Sequence, residues 1–255
     1  MCDEPIQIAV LGDKGVGKTS IVRQWLHNDF SAVYSETHVA TYHFTSLFNG
    51  QRLFHIRIID TPRFENVNSN DPQQEWVRMY CFRRAHLFVL VFDINREETF
   101  NYIKHIHREI VRVRLGLQHH HHHHPPYRQS RSHSQHQTDL LPDIVSADHD
   151  QLANLAAVQI PVIIVANKVD LISTDLRFSH ITLANSRDIQ LYVKKTFKAD
   201  TIQCSAKYHW HLVLLFREVC RMLETVEDTV AKQVAQKARR RLNQDPTHGK
   251  HCRVM

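Results

Sequence analysis

Eight consecutive residues constrain this chain more than any others: Gly12, Asp13, Lys14, Gly15, Val16, Gly17, Lys18 and Thr19. They follow a short apolar run, Ile6–Leu11 (IQIAVL), which predicts a buried parallel strand. They open onto Lys18–Asn28, where Ile21, Val22, Trp25 and Leu26 recur at helical spacing. Glycines in the pattern GxxxxGK[ST] let successive backbone N–H groups turn inward on the α- and β-phosphates of a nucleotide. Lys18 brings a mobile cation to the β- and γ-phosphates, Thr19 brings a hydroxyl to Mg²⁺, and the helix adds its N-terminal dipole. Three of the chain's six glycines fall in this loop, so a glycine-rich composition does not explain them.

Beyond the loop, Val39–Phe48 and Arg52–Asp60 flank Asn49-Gly50, a pair that favours a two-residue hairpin turn. Leu87–Ile94 (LFVLVFDI) and Ile160–Ala166 (IPVIIVA) predict buried strands, and Thr201–Ser205 a short one. Glu97–Leu115 predicts a helix with Phe100, Ile103, Ile106, Ile110 and Val113 on one face. Ser186–Phe197 predicts another, and a last helix begins at Trp210 and runs through Phe216, Cys220 and Leu223. Strands alternating with helices after one hairpin mean a three-layer α/β domain around a mostly parallel sheet. That domain spans residues 1–228 and a basic tail spans 229–255. Residues 116–157 read as a disordered insertion: six consecutive histidines (His119–His124) and a polar, proline-bearing stretch bury too little to offset ordering entropy. Clustered imidazoles can take transition metals, but low-complexity expansion explains the run, and no metal site is assigned to it.

No run of 18 apolar residues appears that would cross a bilayer. The start, MCDEP, carries neither a secretory signal nor the glycine that myristoylation needs. Five scattered cysteines without CxxC spacing suit a reduced compartment.

Asn167-Lys168-Val169-Asp170 stands directly behind the strand Ile160–Ala166, and Cys204-Ser205-Ala206-Lys207 follows later. With the glycine-rich loop, these segments resemble the NKxD and SAK motifs of the Ras superfamily. The resemblance implies a P-loop G domain with a six-stranded, mostly parallel sheet and one antiparallel hairpin strand. It implies GTP or GDP with Mg²⁺ as ligands. Asp170 would accept two hydrogen bonds from guanine N1 and N2, Asn167 would brace the site, and Lys168 would lie along the base. Ser205, Ala206 and Lys207 form the loop whose alanine N–H meets guanine O6. Ser20 completes the phosphate turn. Phe30 would cover the purine edge, or serve as a plain core phenylalanine. Tyr34 and Thr37 fall at switch I, with Thr37 beside Thr19 and Asp60 (through water) as the Mg²⁺ set.

Three positions depart from the family. In Asp60-Thr61-Pro62-Arg63-Phe64 the usual glycine is Arg63 and the water-orienting glutamine is Phe64, whose ring can align no water. Arg63 keeps a backbone N–H for the γ-phosphate, but its Cβ narrows the accessible φ/ψ. Lys14 replaces a glycine where a partner's arginine would enter. No catalytic residue is therefore assigned, and GTPase activity is expected to be slow, or absent in a constitutively GTP-bound adaptor. The stretch Ser205–Glu218, Gln74–Trp76 and the CxxM end together resemble the Ras-like family 10 subgroup.

The chain ends Cys252-Arg253-Val254-Met255, a CaaX pattern with the methionine that directs farnesylation. One prenyl chain holds a membrane reversibly. Lys232, Lys237, Arg239, Arg240, Arg241, Lys250 and Arg253 supply a second, electrostatic signal for an anionic leaflet. Those residues carry no interleaved aromatics of the kind nucleic-acid binding would want. A lipid-anchored monomer at the cytoplasmic face of the plasma membrane is the expectation, with effector and exchange proteins unspecified.

Overall fold

In the computed structural model, residues 5–48, 52–64, 72–116, 160–172 and 187–226 are described below. The strand β1 (Ile6–Gly12) leads into helix α1 (Lys18–His27), then the hairpin β2 (Ala40–Phe48) and β3 (Arg52–Asp60). Next come α2 (Pro72–Arg84), β4 (Leu87–Asp93), α3 (Glu97–Leu115) and β5 (Val162–Asn167). Residues 187–192 form α4, which widens to a π-helical turn at Val193–Phe197 before β6 (Thr201–Gln203). Residues 212–226 form α5.

Six strands join one sheet in the order β2-β3-β1-β4-β5-β6, parallel throughout except the antiparallel β2–β3 pair. The expected three-layer α/β domain is thereby met. Alternation along the strands divides two cores. Ile8 and Val10 of β1, with Val89 and Val91 of β4, face α1 and α5. Ala9 and Leu11, with Phe88, Leu90 and Phe92, face α2, α3 and α4. Every residue of β4 and β5 is buried, as central parallel strands covered on both faces must be.

Several boundaries differ from expectation. The hairpin ladder closes at Phe48 opposite Arg52, so residues 49–51 make the connection, and the turn expected at Asn49-Gly50 lies outside the described residues. The strand β5 begins at Val162, because Pro161 has no N–H for the ladder. Trp210 does not start a helix. It exchanges two backbone hydrogen bonds with Ser205, closing the loop ahead of α5. The fully buried face of α5 is Leu212, Leu215, Val219 and Leu223, with Phe216 and Cys220 at its margin. The expected insertion, apart from Gly116 at its start, and the tail with Cys252 lie outside the described residues.

Candidate functional site

Parallel strands deliver their C-terminal ends to one edge of the sheet, and there the loops open a cleft of about 550 Å³. Gly12 ends β1 pressed against β4; a Cβ on it would lie 2.2 Å from the Val91 carbonyl oxygen. The loop then wraps around the Lys18 side chain, 6% exposed, whose Nζ donates to the carbonyl oxygens of Gly12 (3.0 Å) and Asp13 (2.9 Å). Burial pulls the Lys18 ammonium down to about 8, against the opposing pull of Asp60 and Asp13.

Three oxygens meet beside it. The Thr19 hydroxyl donates to Asp60 Oδ2 at 2.7 Å, and its oxygen lies 2.6 Å from the Thr37 hydroxyl. Since Thr19 has one proton, the Thr37 hydroxyl donates in that second contact. Asp60 closes β3, is fully buried, and has no hydrogen-bond partner at Oδ1. Burial raises its carboxyl to about 6, with the Thr19 hydrogen bond and Lys18 opposing. A buried carboxylate oxygen without a partner, flanked by two hydroxyls, is a hard-oxygen set that fits a small divalent cation sharing phosphate oxygens and water. Among the described residues no cluster of three His, Cys, Asp or Glu offers a rival metal site.

The other end of the cleft is organised by Asn167, 2% exposed at the end of β5. Its Nδ2 donates to the Val16 carbonyl at 2.9 Å, and its Oδ1 accepts the Ala206 N–H at 3.1 Å. That amide, expected to face guanine O6, is thus engaged by Asn167 here. The Ser205 hydroxyl donates to Asp170 Oδ1 at 2.6 Å, aiming the carboxylate. Lys168 adopts the left-handed conformation (φ 66°) and its ammonium reaches Asp93 Oδ2 at 2.9 Å. Hydrogen bonds and the Lys168 charge hold the Asp93 carboxyl below its ordinary range, although burial works against them.

Lys14, Gly15, Gly17, Lys18, Thr19, Ser20, Phe30, Tyr34, Thr37, Asn167, Lys168, Asp170, Ala206 and Lys207 all line the cleft. Five candidates stand behind it, among them Asp60, fully buried at the end of β3. Gly12 is packed on β4, Val16 is buried in the core, Asp13 faces Arg63, and Ser205 supports Asp170. Phe30 is half-buried against the core and also lines the cleft.

Phe64 is turned into the core. Its ring is not in the cleft at the place of a water-orienting side chain. It is 3% exposed in the core, edge-on to Phe82 with centroids 6.0 Å apart. The Tyr102 hydroxyl accepts the Phe64 N–H at 2.9 Å and donates to the Phe64 carbonyl at 3.0 Å. Burial raises the Tyr102 phenol's pKa, so it stays protonated for both bonds. Arg63 lines the cleft and pairs with Asp13. Tyr102, Asp93 and Asn95 were absent from the sequence-based set. Asp93 had a signal, as the acid ending an apolar strand, whereas Tyr102 had none.

A glycine-rich phosphate loop, a Thr–Thr–Asp oxygen cluster and an NKVD loop on this sheet define a Ras-type P-loop GTPase fold. Residues 7–119 match the Ras family. Over most of its length it is similar to Ras-like protein family members of Homo sapiens. Member 10B is 29% identical over 219 residues, 84% of this chain and 83% of the relative. Member 10A is 25% identical over 218 residues, 85% of each. The Ras-related protein Rab7 of Glycine max is 33% identical over 107 residues, 42% of this chain and 48% of the relative.

Proposed function

We propose that this chain is a membrane-anchored signalling protein that binds GTP and GDP with Mg²⁺ and hydrolyses GTP slowly. One observation carries the nucleotide reading: the Thr19, Thr37 and Asp60 oxygens converge beside the Lys18 ammonium at one end of a cleft whose other end holds Asp170. Lys18 and Asp60 both lose solvation in the fold, so a phosphate and a cation would each relieve a buried charge. Asp170, aimed by Ser205, accepts the two guanine N–H groups that adenine lacks. Thr19, Thr37 and Asp60 would hold Mg²⁺, which would supply positive charge against the nucleotide's phosphates.

Slow turnover follows from what the chain lacks near the terminal phosphate. Arg63 offers a backbone N–H there, but the next residue buries its side chain, so no group at position 64 orients a water. The anchor rests on sequence alone: Cys252 as the prenylation site, with the basic tail as the second signal.

Labelled-GDP binding with and without Mg²⁺, for wild type and Asp170→Asn, tests the site. Guanine selectivity that survives in Asp170→Asn would sink the base assignment. Single-turnover hydrolysis of bound GTP separates slow cycling from a non-hydrolysing adaptor, and a rate equal to that of ordinary Ras would refute both. Cell fractionation of wild type against Cys252→Ser tests the anchor, which is lost if both are equally cytosolic.

A further inference from the structure

Two consecutive residues of the phosphate loop each hold a different segment of the cleft wall. Lys14 Nζ lies 3.1 Å from Glu36 Oε1 in the segment between α1 and β2, and 5.9 Å from the Tyr34 ring. Asp13 Oδ1 lies 3.1 Å from Arg63 Nε in the segment after β3. The same Asp13 oxygen accepts the Lys14 N–H at 2.6 Å, so the two ion pairs share one corner of the loop. That corner is itself fixed. Arg96 Nη2 donates to the Lys14 carbonyl at 3.1 Å, and Arg96 Nε lies 3.2 Å from Asp93, which also holds Lys168.

We propose that Asp13 and Lys14 clasp the two switch segments to the phosphate loop, so that the mouth stays closed whether GDP or GTP is bound. The proposal rests on the guanine-nucleotide reading above. In a Ras-type switch these segments are ordered by contacts with the γ-phosphate and its Mg²⁺, and released on hydrolysis. Each of the two ion pairs joins groups of the protein itself, so the clasp asks for no γ-phosphate oxygen. On the Arg63 side it is reinforced by the Tyr102 hydroxyl bracketing the Phe64 backbone and by the buried Phe64 ring.

The two arms differ in strength. The Asp13 side chain is only 13% exposed, so its pair with Arg63 is the less screened. The Lys14 and Glu36 side chains are 54% and 65% exposed, and such a pair changes an opening equilibrium only roughly two- to fivefold. The device slows nucleotide escape and narrows the difference between the two nucleotide states. It also sets a cation, Lys14, at the entry a partner's arginine would use.

Hydrogen–deuterium exchange on the full chain tests this directly. With GDP and with a non-hydrolysable GTP analogue, amides of residues 33–37 and of Arg63 and Phe64 should exchange within about twofold of one another. Exchange about tenfold faster with GDP overturns the clasp, because an opening that costs about 1.4 kcal/mol less is then released by γ-phosphate loss. The pairs are read separately. Lys14→Glu and Glu36→Lys should each speed exchange of residues 33–37 roughly two- to fivefold, with the double reversal restoring it. Arg63→Ala should speed residues 63 and 64 by more, with Arg63→Lys recovering part. Additive single effects without rescue overturn the proposal. These comparisons also work on nucleotide-free protein, so failure to bind labelled GDP would refute the functional reading while the pairs are still measured.

Discussion

A Cβ placed on Gly17 would lie 2.3 Å from the Asn167 carboxamide nitrogen. The phosphate end and the base end of the cleft therefore meet at one contact, where only a hydrogen atom fits. Gly17 also holds φ at +98°, where L side chains are strained. Gly17→Ala should push Asn167 off the Val16 carbonyl and destabilise the fold by about 2–4 kcal/mol. Thermal unfolding of the purified chain checks this, and an unchanged midpoint would contradict it.

Asn167→Ala removes the same junction from the other side. The Val16 carbonyl loses its buried donor and the Ala206 N–H its acceptor. Leaving both without a partner should cost about 2–4 kcal/mol. The freed Ala206 amide cannot compensate, because its loop loses the brace that positions it. Guanine-nucleotide affinity by calorimetry should fall at least tenfold, with equal affinities counting against the assigned role.

Phe64→Gln restores the residue type usual for orienting water, yet hydrolysis should not recover. The side chain at this position points into the core beside Phe82, and Tyr102 fixes the backbone on both sides. A carboxamide there loses apolar burial and lacks a partner, at about 3–5 kcal/mol. A lowered unfolding midpoint with no gain in single-turnover rate is expected. A faster rate at unchanged stability would show that the segment can turn over.

His107 makes the fold acid-sensitive. Packed 4.4 Å from the Phe197 ring, it is held neutral by burial, which lowers its pKa to about 4 from the ordinary 6.5. The unfolded chain takes up this proton below about pH 6.5 and the folded chain only near pH 4, so stability is lost as pH falls across that window. The loss amounts to roughly 3 kcal/mol at most. Urea unfolding at pH 7.5 and pH 4.5 should show a smaller drop for His107→Phe than for wild type.

The phosphate loop and the central strands were legible because their physics is local, whereas NKVD was legible through the family resemblance it carries. A cradle needs contiguous glycines, and a doubly covered strand needs a continuous apolar run. The helix α2 was not assigned from sequence. Its inward face is broken by Arg78, buried to 6% exposure among Cys81 and Phe82 and neutralised by Glu75 and by Glu109 of α3. An arginine in an apolar stripe breaks the periodicity, and only the fold supplies the partner that makes burial tolerable. Where the Phe64 ring goes was hidden for the same kind of reason. Its destination is set by Phe82 and Tyr102, which no spacing near residue 64 reveals. Trp210 was placed in a helix because its apolar neighbours continue the period, whereas its backbone pairs with Ser205.

The site residues described here gather at one edge of the sheet, where β5 ends in Asn167. Val162, its first residue, lies at the far end, about 17 Å away for six residues of strand. Helix α3 finishes with Leu115, and residues 117–159 join it to that remote edge of β5. The two ends from which that connection departs, Leu115 and Val162, thus sit on the side of the sheet opposite the cleft, and a fluorescent reporter or affinity handle joined there would start from that opposite side.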